Sequence, residues 1–196
     1  MRKKGILIGV LVVILGIGAF AFVSTSRAGY ETAAYEVVKE EGEFELRDYE
    51  AHEVATTSMK GNTENGSFGR LFRYISGANE RDVKIAMTTP VFMPTSKDGE
   101  RSEMQFVVPR EVAREGTPTP TSENVRVKRK AAARYAAVRF NGRGNEKQQE
   151  EQQEKLESWI ENQGLQIVGE PVFAGYDPPW TPGPLRRNEV LLRVAQ

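Results

Sequence analysis

At 196 residues the chain has room for one domain of ordinary size and one additional segment. It contains no cysteine, which excludes disulfides, thiolate catalysis and Cys-ligated metals or haems. Its 27 bases balance 27 acids, but four bases and no acid fall in residues 1–29, leaving 23 bases against 27 acids in the remainder; that mildly acidic body lacks the basic face a nucleic-acid reader needs.

Met1-Arg2-Lys3-Lys4 is a basic cap on an uncharged apolar run from Gly5 to Val23. Those 19 residues approach the ~20 a helix needs to cross the hydrocarbon core. Residues 1–23 therefore read as an uncleaved signal anchor, a single transmembrane helix. The basic cap stays cytoplasmic and the body lies on the extracytoplasmic, periplasmic side. Ala19-Phe20-Ala21 has the small-x-small form of a cleavage site, so secretion to the periplasm after cleavage is the alternative. Residues 24–34 are small and polar and read as a linker.

From Tyr35 to Gln196 the hydrophobic period keeps switching. Phe44–Arg47 and Val54–Met59 alternate as strands. Phe68, Leu71, Phe72 and Ile75 recur at helical spacing, with Asn65 placed to cap the helix and Gly77 to end it. Lys84–Met93 and Met104–Val108 read as strands, and Pro109–Asn124 as a polar connector. Val125–Arg129 and Tyr135–Phe140 are strands again. Asn145 with Gln148 makes a capping box for a long charged helix ending at Gly164, in which only Leu156, Trp159 and Ile160 can pack well. Leu165–Val168, Val172–Tyr176 and Glu189–Val194 complete the pattern. Each half thus reads strand, strand, helix, strand, strand: an α+β domain of about eight strands and two helices, repeated in pattern rather than in sequence.

No catalytic constellation is visible. There is no GxSxG, P-loop or HExxH, and a Ser-His-Asp set would have to use the single histidine, His52. The reading is therefore a binding protein, not an enzyme. His52, Met87, Tyr49 and Tyr176 carry side chains able by chemistry to ligate iron, and a packing or surface role is the commoner fate of each. Arg186 and Arg187 stand next to Glu189, which suits a structural ion pair for at least one of them.

Two segments are more specific than any of these: Lys84-Ile85-Ala86-Met87-Thr88-Thr89-Pro90-Val91, and Gly175-Tyr176-Asp177-Pro178-Pro179-Trp180-Thr181-Pro182-Gly183-Pro184-Leu185-Arg186-Arg187-Asn188-Glu189-Val190. With Tyr35–Val38, Phe44–Tyr49 and Leu71–Asn79 they resemble, in order and spacing, the SOUL haem-binding family over about Tyr35 to Val194. That resemblance implies a distorted eight-stranded antiparallel barrel with two flanking helices, a pseudo-two-fold ββαββ repeat related to GyrI-like effector domains. It also implies a shallow apolar cleft for haem or a related tetrapyrrole beside the first helix. Carried over by position, the cleft takes Phe68, Leu71 and Phe72 from that helix, Arg70 and Arg73 for the propionates, and Phe173 and Tyr176 as the opposite wall. Where some relatives carry a histidine this chain has Asp48, and His52 does not match, so the resemblance implies a tetrapyrrole held without a strong axial ligand. The expected role is a membrane-tethered carrier or buffer. A module for other amphipathic small molecules, a protein-interaction domain and a tetrapyrrole-modifying enzyme are the rivals.

Overall fold

The computed structural model describes residues 29–195 except Asn62, Lys97, Asp98 and Pro179. The expected anchor over residues 1–23 lies outside the described residues, and no helix of the described residues is long and apolar enough to cross a membrane. In chain order the elements are β1 (Tyr35–Glu41), β2 (Phe44–Tyr49), β3 (His52–Ser58), α1 (Glu64–Ile75), β4 (Val91–Pro94), β5 (Glu103–Val107), α2 (Arg110–Glu115), β6 (Arg126–Lys130), β7 (Ala133–Asn141), α3 (Glu146–Asn162), β8 (Val172–Gly175) and β9 (Arg187–Arg193).

The strands form one antiparallel sheet in the order β1-β2-β7-β9-β8-β4-β5-β3-β6. Setting β1 aside, exchanging β2 with β6, β3 with β7, β4 with β8 and β5 with β9 reverses this order onto itself. The ββαββ repeat is thus a two-fold relation whose axis passes between β4 and β8.

Connection lengths give the sheet its shape. β2 and β3 are six places apart in the strand order, yet only Glu50 and Ala51 join them; β6 and β7 are equally far apart and joined by Ala131 and Ala132. Six spacings in a flat sheet span roughly 29 Å at ~4.8 Å each. Three Cα steps reach at most about 11 Å. The sheet must therefore curl strongly.

The expected distorted eight-stranded barrel with two helices is present in coarser form: among the described residues nine strands make a curled half-barrel with three helices, open because β1 pairs only with β2 and β6 only with β3. Both edges carry charge, four of the five β6 residues being Lys or Arg, which discourages edge-to-edge pairing. Lys84–Met93 is a strand only from Val91 on. Before it, Thr88 Oγ1 donates to the Val107 carbonyl at 2.7 Å and the Thr89 amide to the Glu31 carbonyl at 3.0 Å, and Pro90 has no N–H to give a ladder. Leu165–Val168 contributes only the bridge Ile167–Val194. The polar connector holds the short helix α2, started by Pro109. Thr63 rather than Asn65 caps α1, accepting from the Gly66 amide at 3.1 Å. Asn145 caps α3 as expected, accepting from the Gln148 amide at 2.9 Å.

Alternation along the strands gives the sheet two faces. On one, Leu71, Tyr74 and Ile75 of α1 pack on Ala55, Met93, Met104, Phe106 and Phe173. Leu156, Trp159 and Ile160 of α3 pack on Leu46, Ala136, Val138, Val190 and Leu192 of the same face. The helix-free face carries its own cluster, including Tyr49, Val54, Phe92, Val107, Ala137, Ala174, Tyr176 and Leu191.

A buried ion pair crosses that second face. Arg47 on β2 and Glu189 on β9 are 1% and 0% exposed. They pair bidentately, Nη1–Oε2 at 2.6 Å and Nη2–Oε1 at 3.0 Å. β7 runs between their strands, and its registers put Ala137 midway, where a methyl leaves room for the guanidinium to pass. Arg187 Nη2 at 2.6 Å and the Tyr176 hydroxyl at 2.8 Å complete the carboxylate's shell, and Glu45 accepts from Arg47 Nε at 2.7 Å. The structural pairing expected of at least one of Arg186 and Arg187 is therefore present, made by Arg187 with Glu189. Burial alone would raise the Glu189 carboxyl, but the hydrogen bonds and charges of Arg47 and then Arg187 hold it below the usual range.

Removing one partner of such a pair strands the other charge. Arg47→Met should cost about 3–5 kcal/mol in denaturant unfolding. Arg134→Met, breaking the half-exposed pair with Asp48 on the sheet's rim, should cost about 0.2–1 kcal/mol. Because the folded carboxyl is depressed, the Glu189 contribution is complete above the ordinary glutamate range and lost as pH falls through the folded value. Stability measured against pH should therefore fall less steeply on acidification in Glu189→Gln than in the parent.

Candidate functional site

Helix α1 is a short amphipathic helix whose apolar stripe is wider than its contact with the sheet. Leu71 and Ile75 are buried, but Phe68 and Phe72, at i and i+4, remain 37% and 50% exposed. Their rings lie nearly parallel, 15° apart with centroids at 6.0 Å. Phe68 is anchored edge-on to the buried Phe106 ring at 5.2 Å. The result is a partly exposed aromatic shelf along one flank of the helix.

At 100° per residue Gly69 and Arg73 follow Phe68 and Phe72 round the same flank. A glycine inside a helix costs roughly 0.5–1 kcal/mol against alanine. At Gly69 packing does not demand it, since an added Cβ would meet only Arg73 Nη1 at 3.8 Å. Its absence leaves a notch beside the shelf. Arg73 is exposed and, among the described residues, has no hydrogen-bonded side-chain partner. Arg101, from the β4–β5 hairpin, pairs with Glu64 in the first turn of α1 at 3.0 Å and lies 5.1 Å above the Phe173 ring. Flat apolar contact with cations at its margin fits a planar ring bearing carboxylates.

The residues expected to line a cleft separate into groups. Phe68, Phe72 and Arg73 share this flank. Arg70 turns to the other flank, where its Nε donates to Thr57 Oγ1 at 2.8 Å and its Nη2 to the Ser58 carbonyl at 2.7 Å. Leu71 and Phe173 are buried beneath α1, supporting the shelf rather than presenting it. Tyr176 is on the opposite face of the sheet, bonded to Glu189. Gly69 and Arg101 were not singled out by the sequence; a glycine inside a helical apolar stripe was the signal available for the first, and none was available for the second.

The four residues able to ligate iron lie elsewhere. Met87 packs against the core under α1. Tyr49 and Tyr176 are buried in the helix-free cluster, and burial pushes both phenols up, away from phenolate. His52 lines a cavity on the helix-free face with Tyr49, Phe92, Gln105, Lys130, Tyr135 and Arg193 among its neighbours. Its Nδ1 donates to the Glu50 carbonyl at 2.8 Å, and burial holds its imidazolium below the ordinary range.

A family model described as SOUL heme-binding protein matches residues 30–193. Heme-binding protein 1 of Xenopus tropicalis is 26% identical over 157 residues, covering 75% of this chain and 81% of that protein. Heme-binding protein 1 of Mus musculus is 26% identical over 164 residues, covering 79% and 85%. Among solved structures, a hydrolase from Listeria innocua superposes with a TM-score of 0.58 at 12% identity, covering 81% of this chain and 94% of that one. The C-terminal domain of EcmrR superposes with a TM-score of 0.53 at 12% identity, covering 83% and 98%. At those identities the two structures share the fold alone.

Gly69→Ala tests the notch. It should raise the stability of the ligand-free protein by roughly 0.5–1 kcal/mol in thermal or denaturant unfolding, since helix propensity improves and nothing is displaced.

Proposed function

The chain belongs to the SOUL haem-binding family, and we propose that it binds haem or a related tetrapyrrole on the aromatic flank of α1. The observation that carries this reading is the exposed, near-parallel Phe68–Phe72 pair, held against Phe106 on a helix with a glycine notch beside it. A monomeric globular surface gains nothing from two such rings in water, and a flat apolar ligand covers both. Bound haem would supply a planar macrocycle to be shielded and two propionates to be neutralised. Phe68 and Phe72 give the apolar contact, Gly69 permits close approach, and Arg73 supplies a cation at the margin.

The site is a shelf rather than an enclosed pocket. Covering the exposed parts of two phenylalanines is worth roughly 1.5–3 kcal/mol. Such a contribution suits reversible holding. This supports a carrier or buffer in place of an enzyme, as does the position of the single histidine on the far face of the sheet. The apolar run of residues 5–23 behind a basic cap supports a body tethered at the extracytoplasmic membrane face.

A haemin titration followed at the Soret band tests the reading. A saturable one-to-one shift is expected in the parent and in His52→Ala. Phe72→Ala should weaken it about tenfold, the loss of roughly 1.4 kcal/mol, and Phe72→Asp should abolish it. Undiminished binding in Phe72→Asp would remove α1 as the site, and loss in His52→Ala would move the iron to the helix-free face.

A further inference from the structure

The curl of the sheet leaves a second, partly open space that the tetrapyrrole reading does not use. It is a cavity of about 140 Å³ on the helix-free face. Apolar cavities of roughly 150 Å³ admit one benzene ring. That is the volume of one ring rather than of the four of a tetrapyrrole.

The walls are ordered and mostly apolar. Tyr49 stands edge-on to Phe92, with centroids at 6.4 Å, and to Tyr135, at 5.6 Å. Val172 and Leu191 lie in the same lining. The rim is different. Lys130, the last residue of β6, and Arg193, the last of β9, both line the cavity. Neither has a carboxylate partner among the described residues. Lys128 stands two positions from Lys130 on the same face and is already paired, with Glu103 at 2.6 Å. Burial, with Glu103 opposing and then the like charges of Lys128 and Arg193 adding to it, holds the Lys130 ammonium below its usual range. These two cations are drawn to one space with no anion between them.

The nearby acids are all engaged. Glu103 accepts from Lys128, Gln105 and Thr56. Glu50 bonds Arg110. On the same face Glu189 is saturated by Arg47, Arg187 and Tyr176, and Glu45 is paired with Arg47. A cationic ligand would find no open carboxylate, whereas an anion would find two open cations.

We propose that this cavity binds a compact aromatic monocarboxylate, its ring among Tyr49, Phe92 and Tyr135 and its carboxylate between Lys130 and Arg193. The site is separate from α1, so both can be filled at once.

The test is a titration of the full-length protein with benzoate, read by calorimetry and by NMR shifts of the Tyr135 and His52 rings. Benzylamine and benzyl alcohol, with the same ring and a different charge, are the controls. Saturable binding of benzoate alone is expected. Lys130→Met combined with Arg193→Met, both on the rim, should weaken it at least roughly tenfold, the value of one charge-assisted contact. Phe72→Asp should abolish haemin binding and leave benzoate in place, which separates the two sites. Absence of saturable benzoate binding, equal binding of benzylamine or benzyl alcohol, or full retention in the double variant would overturn the proposal.

Discussion

Two connections of two residues each dictate the rest of this structure. Glu50-Ala51 and Ala131-Ala132 tie strands that lie six places apart in the sheet, and no flat sheet satisfies either. The curl that results has an outside, where α1 and α3 pack, and an inside, which must be filled without helices. Aromatic rings fill part of the inside and the Arg47–Glu189 pair fills the middle. The pair spans β2 and β9 across β7, so it staples three strands together. Its value is in that geometry: an apolar triplet of similar volume would pack, but it would not specify which strands meet.

The inside and the outside carry different chemistries for the same reason. On the outside, α1 packs most of its apolar surface on the sheet and leaves what overhangs, the Phe68–Phe72 shelf. On the inside, small residues such as Ala133 and Ala137 stand beside large rings, and the fit is incomplete. The remaining space is single-ring sized, and the charged ends of β6 and β9 close around it. A size difference between the two sites therefore follows from topology: an exposed helix flank sets no upper limit on a ligand, while the interior of a tight curl does.

Much of the element order was legible in the sequence because it rests on local signals. β2 and β6 alternate, β9 carries an apolar run, and Asn145 with Gln148 announces α3. β1 was marked only through the resemblance of Tyr35–Val38, because all but its first residue is exposed and no alternation announces it; its hairpin with β2 makes it a strand. The run Lys84–Met93 looked like one long strand because its hydrophobicity does not show that Thr88 and Thr89 are bonded to β5 and to Glu31. The apolar stripe of α1 identified the helix correctly but could not divide its residues: Leu71 and Ile75 face the sheet while Phe68 and Phe72 overhang it. The interior cavity was not legible at all. Its lining takes one or two residues from each of several strands, and only the long-range closure of the sheet brings them together.

The two-fold relation between the halves extends to the helices. Leu71, Tyr74 and Ile75 are the buried apolar residues of α1, and Leu156, Trp159 and Ile160 repeat their spacing on α3. In that register Phe68 and Phe72 correspond to Gln153 and Glu157, which share a hydrogen bond of 2.8 Å where their counterparts share a ring stack. The same scaffold position is thus greasy in one half and wet in the other. The molecule carries its own blank: in the same register Gly69 and Arg73 correspond to Glu154 and Ser158, so whatever adheres to one helix and not to its twin does so because of these few side chains.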